Sequence, residues 1–250
     1  MLYHSFLIKY SEIGTKGKNR YVFEDALVHD IRRKLKRAEG SFRVTRERGR
    51  IYVSSKSEDY DPESLIEALR HVFGIIGICP MVQFENDGDI ESLKREVLSY
   101  WGELYRGKKK SFKVYTRRAD KSFPLSSPEI DAELGHEILD AFPESSVDVH
   151  NPEVRLHVEI RQFINLYSEI IPGPGGMPLG TNGKAMLLLS GGIDSPAAGY
   201  MIAKRGALIE ACYFHAPPYT SERAKQKVVD LAEKLSRYAG PVALHHPRQA

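Results

Sequence analysis

Six consecutive residues, Ser190-Gly-Gly-Ile-Asp-Ser195, carry the backbone and side-chain types that bind a phosphate group. They follow residues 185–189, a short apolar run typical of a strand buried in a parallel sheet, and Pro196 favours the first turn of a helix just after them. A strand, two glycines that let the backbone turn tightly and a helix N-terminus direct several N–H groups at one point. An Asp beside a phosphate is unfavourable by charge alone, so Asp194 predicts a bound Mg²⁺ or a catalytic contact.

Two other interpretations of this segment compete with a simple phosphate site. Ser and Asp are frequent helix caps, so the same residues could form an ordinary strand–helix turn. The pattern Gly-x4-Gly-Lys-Ser/Thr does not occur in the sequence, which argues against the phosphate loop of kinases and GTPases. The agreement of strand, glycine pair and N-terminal proline favours a phosphate site over the turn.

A second group of residues has the composition of a nucleic-acid contact. Residues 108–121 hold seven basic side chains in fourteen positions, interleaved with Phe112 and Tyr115. Lys and Arg that neutralise phosphates release counterions, which makes such binding depend on salt. The candidate residues are Lys108, Lys109, Lys110, Lys113, Arg117, Arg118 and Lys121, together with Lys16, Lys18 and Arg20 from a Gly/Lys loop near the N-terminus. A solvated loop is the alternative for both segments, and we interpret residues 32–37 as a solvated helix face.

The charge distribution indicates one electropositive end. The chain has 250 residues and a formal net charge of +3, but residues 1–121 carry 25 Lys and Arg against 18 Asp and Glu, and residues 122–250 carry 11 against 15. This asymmetry is expected when one end binds a polyanion, although a well-solvated surface would also produce it. Two cysteines 133 positions apart form neither a disulfide scaffold nor a zinc site. With no signal peptide and no apolar stretch long enough to span a bilayer, we expect a soluble, cytoplasmic protein without a membrane segment.

Hydrophobic periodicity divides the chain into three regions. Residues up to about 75 predict a β-α-β-β-α unit, whose first helix has an apolar residue at every fourth position from Phe23 to Leu35. A second region mixes strands and helices, with strands expected at 111–117 and 154–160, and ends near residue 170. Eight of the twelve residues 172–183 are Gly or Pro, which predicts a linker or a shaped loop. The remainder alternates strand–helix–strand–helix–strand, the pattern of a doubly wound parallel sheet.

The order of these motifs resembles that of the ThiI-type tRNA 4-thiouridine synthetases. Residues 190–195 are similar to the pyrophosphate loop of the adenine-nucleotide α-hydrolase superfamily, whose members split ATP to AMP and pyrophosphate. The narrower resemblance covers essentially the whole chain. It rests on residues 9–20, 112–124, 151–161, 175–180, 190–195 and 215–227.

The resemblance implies a multidomain protein of the α/β and α+β classes. It implies an N-terminal ferredoxin-like domain at residues 1–75 and a THUMP domain, which binds tRNA, at residues 76–170. A Gly/Pro linker at residues 171–183 would then lead to a doubly wound, Rossmann-like pyrophosphate-loop domain, of which residues 184–250 form the first part. The basic excess falls on the first two of these domains.

The resemblance also implies an activity and its site. ATP would be bound by Leu188, Leu189, Ser190, Gly191, Gly192, Asp194, Ser195, Tyr213 and Phe214, with Asp194 as a catalytic residue and Mg²⁺ as cofactor. In the implied reaction the uracil oxygen of the uridine at tRNA position 8 attacks the α-phosphate, pyrophosphate leaves, and a persulfide sulfur then displaces AMP. A cysteine desulfurase would donate the persulfide, and the resemblance extends to sulfur supply for thiamine synthesis. The open edge of a partial parallel sheet would also favour a homodimer.

The cysteines depart from the family pattern. The family's sulfur-carrying cysteine lies well downstream of the pyrophosphate loop, and Cys79 and Cys212 both stand in apolar segments that predict buried, inert thiols. We therefore expect the tRNA and phosphate sites without the sulfur-transfer half. Two alternatives stay open: a tRNA-binding module without catalysis, and a pyrophosphate-loop synthetase that acts on a small molecule. The basic front end argues against the second, because a small substrate needs no such surface.

Overall fold

The computed structural model describes residues 3–10, 12–47, 49–57, 59–215 and 220–246. The chain divides into two compact units. Unit 1 comprises Met1–Leu7 and Cys79–Ile170, and unit 2 comprises Ile8–Ile78 and Ile171–Ala250. The first and the last of the three regions expected from the sequence therefore belong to the same unit. Part of the motif at 215–227, residues 216–219, lies outside the described residues.

Helices and strands alternate along most of the described chain. In chain order they are β1 (Ser5–Lys9), α1 (Arg20–Leu35), β2 (Phe42–Glu47), β3 (Arg50–Ser55), α2 (Pro62–Leu69), β4 (Gly77–Glu85), α3 (Ile90–Tyr105), β5 (Ser111–Arg118), α4 (Ser127–Ala141), β6 (Ser146–Val147), β7 (Val154–Ile160), β8 (Phe163–Tyr167), β9 (Ile171–Pro172), β10 (Lys184–Leu188), α5 (Asp194–Lys204), β11 (Leu208–Cys212), α6 (Glu222–Ala239) and β12 (Leu244–His245). β1 and β4 pass from one unit to the other.

Unit 1 is a sheet packed against two helices. Its strands follow the order β4-β8-β7-β5-β6, in which β5 is parallel to β6 and β7, and β8 is antiparallel to β7 and β4. Side chains alternate between the two faces of a strand, so Phe112, Val114, Leu156 and Val158 reach one core with α3 and α4. Trp101 of α3 is fully buried in this core and donates its indole N–H to Ser145 Oγ at 3.2 Å.

The N-terminal part of unit 2 contains α1, the antiparallel pair β2–β3, and α2. In the β2–β3 register Phe42 lies opposite Ser55, which confirms the expected strand pair. The Asp61-Pro62 sequence starts α2, because the Asp61 carboxylate accepts the backbone N–H groups of Glu63 and Ser64 at 2.9 and 3.1 Å and Pro62 needs no N–H partner in the first turn.

The run of residues 32–37 is not a uniformly solvated helix face. Lys34 is only 8% exposed, and its Nζ donates to the carbonyl oxygen of Arg237 in α6. Burial and two neighbouring guanidinium groups lower the pKa of Lys34 to about 8. The interpretation of this run as solvated is therefore wrong for Lys34, because its partner lies 203 positions away in the sequence.

The Gly/Pro-rich residues 172–183 form a packed, shaped segment. The N–H of Leu179 donates to Asp30 Oδ2 of α1 at 3.0 Å, and burial raises the pKa of Asp30. Gly176 has a φ of +82°, and a Cβ there would lie 2.2 Å from the carbonyl oxygen of Lys204. Only glycine fits at this position. Of the two expectations for the segment, the packing agrees with a shaped loop rather than with a flexible linker.

The C-terminal part of unit 2 is a parallel sheet. β10, β11 and β12 lie side by side in chain order, which confirms the expected alternation of strands and helices. α5 and α6 pack together on one face of these strands, where a Cβ at Gly199 would lie 2.6 Å from Leu187 Cδ2 and 3.0 Å from Leu235 Cδ2. Met186 and Leu188 point to the other face and are exposed. Among the described residues, no helix is both long and apolar enough to cross a bilayer.

Candidate phosphate-binding loop and basic surface

The candidate phosphate loop occupies the turn between β10 and α5. β10 ends at Leu188 and α5 begins at Asp194. Because β10 and β11 are parallel, the turn lies at the carboxyl edge of the sheet, where open α/β sheets bind ligands. Ser190, Gly192 and Asp194 are all exposed there. The loop is therefore accessible from solvent.

The two serines bind to each other and shape the loop. Ser195 Oγ accepts the backbone N–H of Ser190 at 3.0 Å and lies 3.1 Å from Ser190 Oγ, which accepts the N–H of Gly192 at 3.4 Å. Ile193 is the N-cap of α5, and no side chain caps this helix. In the described part of the chain, the N–H groups of Asp194 and Ser195 have no acceptor. An ordinary Ser/Asp cap is therefore absent, and the helix N-terminus can receive an anion.

The backbone conformation of the turn does not require the two glycines, contrary to the expectation from the sequence. Neither Gly191 nor Gly192 is among the glycines with positive φ. A Cβ at Gly191 would approach Lys227 Cδ at 3.7 Å, and one at Gly192 would approach Ser190 Oγ at 3.5 Å, both ordinary contacts. The fold therefore has room for a Cβ at both positions, although the sequence has glycine at each. Glycine here leaves the backbone open to close approach by a ligand.

Lys227 is a candidate site residue to which the sequence analysis assigned no function. It belongs to α6, and its aliphatic stem lies beside Gly191. Its side chain is exposed, so the ammonium can reach an anion held by the loop. The position of Lys227 within the motif at 215–227 was the available signal, but only the packing of α6 places it at the loop.

The four apolar residues expected to contact ATP differ in exposure. Leu189 and Tyr213 are buried, in a cluster with Ala211 and residues of α6. Their backbone N–H groups bond to the carbonyls of neighbouring strands. Leu188 is 64% exposed and Phe214 is 55% exposed. Only Leu188 and Phe214 present side chains that a base could contact.

The residues at the loop also suit the Mg²⁺ implied by the family resemblance. Asp194, the exposed first residue of α5, offers one carboxylate next in sequence to Ser195, whose hydroxyl lies 3.1 Å from that of Ser190. Mg²⁺ in nucleotide sites is held by one or two carboxylates together with substrate phosphates. The described residues contain no cluster of three or more His, Cys, Asp or Glu that could hold a metal. The donor set therefore fits Mg²⁺ only in company with a phosphate ligand.

The basic cluster at residues 108–121 divides into two groups. Lys109, Arg117 and Lys121 are exposed, and none of their side chains has a hydrogen-bond or ion-pair partner in the described part of the chain. We call Lys109, Arg117 and Lys121 the free group. The other four are engaged with the protein. They are Lys108, which donates to Leu104 O at 2.8 Å, Lys110, paired with Glu153 at 2.9 Å, Lys113, which donates to Val149 O at 3.2 Å, and Arg118.

Arg118 is a structural residue. Its Nη1 donates to the carbonyl of Phe123 at 2.9 Å and to that of Leu125, on the loop that leads into α4. Its Nε is buried without a partner in the described part of the chain. The guanidinium therefore positions the loop, and direct contact of Arg118 with RNA stays a prediction.

The N-terminal Gly/Lys loop shows the same division. Arg20 Nε pairs with Glu24 at 2.7 Å, and its Nη2 donates to Tyr10 Oη at 2.7 Å and to Gly49 O at 3.3 Å. Lys16 and Lys18 are exposed, and Lys16 Nζ lies 5.0 Å from the ring centroid of Phe23. Arg20 holds the loop through these contacts, and contact of Arg20, Lys16 and Lys18 with RNA stays a prediction.

The two cysteines differ in burial. Cys79 is fully buried, as expected, but Cys212 is partly exposed. Cys212 points away from the helix-covered face of the sheet, as does its register partner His245. The expectation of a buried thiol is therefore wrong for Cys212. His245 pairs with Glu210 at 3.2 Å, a strand-end contact.

These features define a class of protein: an α/β fold whose parallel sheet carries an exposed strand–helix loop at its carboxyl edge, in a chain that also contains an α/β unit with exposed cations. Three family models match the chain in succession. They are described as ThiI ferredoxin-like domain (residues 5–79), THUMP domain (residues 87–168) and Thiamine biosynthesis protein (ThiI) (residues 180–246). The chain belongs to the ThiI family.

Similar proteins and structures agree with this assignment. A probable tRNA sulfurtransferase of Lachnospira eligens is 61% identical over 98% of this chain and 62% of its own length, and one of Agathobacter rectalis is 59% identical over 98% and 61%. A crystal structure of a 4-thiouridine synthetase–RNA complex with bound ATP matches with a TM-score of 0.81 at 38% identity, covering 98% of this chain and 61% of that one. PH1313 from Pyrococcus horikoshii matches with a TM-score of 0.81 at 30% identity, covering 97% and 78%. The chain thus spans about three fifths of the length of the two sulfurtransferases.

Proposed function

We propose that this chain binds ATP at the loop formed by residues 190–195. We also propose that it binds tRNA at the basic cluster of unit 1 (residues 108–121), as part of a tRNA uracil 4-sulfurtransferase. The observation that carries the proposal is a pair of N–H groups at the N-terminus of α5, those of Asp194 and Ser195, that have no acceptor among the residues the structure describes. They lie beside two glycines where the fold has room for a Cβ. A polyphosphate supplies the negative charge and acceptors that this arrangement lacks. Relatives named as tRNA sulfurtransferases support the choice of nucleic acid.

The proposed reaction is adenylation followed by sulfur transfer. The uracil oxygen of the uridine at tRNA position 8 attacks the α-phosphate of ATP, and pyrophosphate leaves. The terminal sulfur of a persulfide, from a donor such as a cysteine desulfurase, then attacks C4 of the uracil and displaces AMP. A second thiol cleaves the S–S bond that still joins this sulfur to its carrier, forms a disulfide with the carrier and leaves 4-thiouridine. The N–H groups of Asp194 and Ser195, which have no acceptor in the described residues, would stabilise negative charge on the departing pyrophosphate. Lys227 adds a cation beside the same loop.

Asp194 would hold Mg²⁺ when a nucleotide is bound. The ion neutralises charge on the transferring phosphates. ThiI proteins carry a description that refers to thiamine biosynthesis, and we propose sulfur supply to that synthesis as a second role of the whole protein.

The role of Asp194 is tested by ATP affinity with and without Mg²⁺. Titration calorimetry of the wild-type chain should show tighter ATP binding when Mg²⁺ is present. The Asp194→Asn variant should lose most of that gain, while an Asp140→Asn control on α4 should keep it. An Asp194→Asn variant with the full Mg²⁺ effect would contradict the assignment.

The main alternative is a tRNA-binding module without an ATP site. Nothing in the geometry of the loop favours it, because the loop is accessible and its N-terminal donors have no acceptor in the described residues. A small-molecule synthetase is less favoured, because a THUMP domain occupies residues 87–168.

Steep salt dependence of tRNA binding would support the proposed function, since each neutralised phosphate contributes about 0.9 to the steepness with which log K falls against log salt.

A further inference from the structure

The C-terminal end of α6 receives two cations from α1. The last carbonyl groups of a helix have no donor within the helix, and the helix dipole is negative there. Lys34 Nζ donates to one of these groups, the carbonyl oxygen of Arg237. The guanidinium of Arg33 lies at the α6 C-cap, where a Cβ at Gly240 would be 2.2 Å from Arg33 Nη1. α1 therefore caps α6 from outside the helix.

The ammonium group of Lys34 is directed at this carbonyl and not at a carboxylate. The nearby Asp30 is already engaged, since it accepts from Arg33 Nη2 at 2.9 Å and from the backbone N–H of Leu179 at 3.0 Å. Among the described residues Lys34 forms no ion pair, and its side chain is buried. Burying an ammonium group costs free energy that an apolar side chain of similar size would not cost. Packing of α1 against α6 therefore does not require the charge of Lys34.

α6 connects this contact to the candidate phosphate loop. Lys227 and Arg237 both belong to α6 and are separated by about 15 Å along the helix axis. The stem of Lys227 lies beside Gly191, where a Cβ would be 3.7 Å from Lys227 Cδ. The hydrogen bonds within a helix make it a rigid element, so a shift at the C-terminal end of α6 also displaces Lys227.

We infer that Lys34 is a positioning residue for the nucleotide site: its charge holds the C-terminal end of α6 and thereby sets the position of the Lys227 ammonium group at residues 190–195. The inference rests on the proposed binding of ATP at this loop. Lys34 acts through α6 and Lys227, and it does not itself bind the nucleotide. Its effect on ATP affinity must then depend on the presence of Lys227 and on whether Lys34 carries its proton.

The protonation of Lys34 gives the inference a pH dependence. Its pKa is lowered to about 8 by burial and by the neighbouring Arg33 and Arg37, and Asp30 has the opposite effect. These three neighbours belong to α1 or follow it directly, and α6 presents the carbonyl of Arg237. Lys34 is therefore charged at pH 7 and mostly neutral at pH 9, where its attraction to the helix end is lost.

A double-mutant cycle tests the inference by titration calorimetry of ATP with Mg²⁺ at pH 7. Lys34→Met should weaken ATP binding about fivefold, because Lys227 is no longer held at the loop. Lys227→Met should weaken it about tenfold, and adding Lys34→Met to that variant should change the affinity by less than twofold. The control Lys36→Met removes an exposed cation at the C-cap of α1 and should keep ATP affinity within twofold of the wild type.

The outcomes of the cycle separate the inference from the proposed function. If the Lys34→Met loss persists in full on the Lys227→Met background, Lys34 acts without Lys227 and the inference is wrong. Wild-type ATP affinity in the Lys34→Met variant would also overturn it, and either result leaves the proposed ATP site standing. Failure of the wild-type chain to bind ATP would overturn both.

A second variant tests the charge itself and does not depend on the folding of Lys34→Met. Lys34→Arg keeps its charge between pH 7 and pH 9. The ATP affinity of the wild type should therefore fall about threefold relative to that of Lys34→Arg over this range. A ratio of affinities that stays constant from pH 7 to pH 9 would show that the charge of Lys34 does not position Lys227, and the inference would be overturned.

Discussion

The candidate phosphate loop of unit 2 and the basic cluster of unit 1 (residues 108–121) use their polar groups in opposite ways. At the loop, the N–H groups of Asp194 and Ser195 have no acceptor in the described chain, and two glycines leave space beside them. In the cluster at residues 108–121, four of the seven cations are bound to the protein's own carbonyls or to Glu153. A group that can bind a partner must be free of the protein, so residue type alone does not identify a contact.

The comparison separates positioning residues from binding residues within one stretch of sequence. Arg117 and Arg118 are adjacent on β5, but their side chains point to opposite faces of the sheet. Arg117 is exposed, and Arg118 holds the loop before α4. Substitutions at the two positions should therefore affect different properties.

The largest effect is expected for stability at Arg118. Arg118→Met leaves the carbonyls of Phe123 and Leu125 without their donor, which should lower the free energy of unfolding by about 2 kcal/mol. Urea unfolding measures this loss. Arg117→Met is the matched control and should change stability by less than about 0.5 kcal/mol, because that side chain is exposed. Equal losses at both positions would remove the distinction.

A smaller effect is expected on tRNA affinity from the free group. The triple substitution of Lys109, Arg117 and Lys121 by Ala should weaken tRNA binding about tenfold and reduce its salt slope, because these cations have no partner in the described chain. Anisotropy titrations at several salt concentrations measure both quantities.

The engaged cations provide a control of equal charge. A triple substitution of Lys108, Lys110 and Lys113 by Ala also removes three charges, and it should weaken binding by no more than about threefold. If the two triple substitutions weaken tRNA binding equally, affinity depends on the net charge of the cluster and not on whether each side chain is free of contacts within the protein.

The smallest effect concerns Lys34, a third kind of cation that is buried in unit 2. Burial lowers its pKa to about 8 in the folded chain, below the ordinary value of 10.5, so the unfolded chain binds more protons between these values. Stability should therefore rise as pH increases from about 8 to 10.5. The expected gain at pH 9.5 over pH 7 is on the order of 1 kcal/mol relative to Lys34→Met, since partial access to solvent screens the charge. Identical pH profiles for the two proteins would contradict the shift.

Local patterns predicted most of the regular structure. The apolar residues spaced by four predicted α1, and the alternation of apolar and polar residues at 154–160 predicted β7. The sequence also placed the turn of the candidate phosphate loop between a strand and a helix, because an apolar strand, a glycine pair and an N-terminal proline are all local signals. β8 (Phe163–Tyr167) was missed, since its five residues follow β7 with only two between them and lack a clear alternation.

Side-chain roles that depend on distant partners were not accessible from sequence. The burial of Lys34 depends on Arg237, and the approach of Lys227 to Gly191 depends on how α6 packs. The same limit explains Arg20, whose partners include Gly49 on the β2–β3 turn. A run of basic residues shows its charge in the sequence, but only the fold shows which of those charges remain available.

The central claim is that residues 190–195 bind the polyphosphate of ATP through a backbone left open by Gly191 and Gly192. The most direct measurement is titration calorimetry of ATP with the wild-type chain and the Gly191→Ala/Gly192→Ala variant, beside their thermal unfolding. The account predicts nearly equal melting temperatures, because the methyl groups meet only ordinary contacts, together with at least tenfold weaker ATP binding in the variant. Equal ATP affinity in the two proteins, or no ATP binding by the wild type, would contradict it.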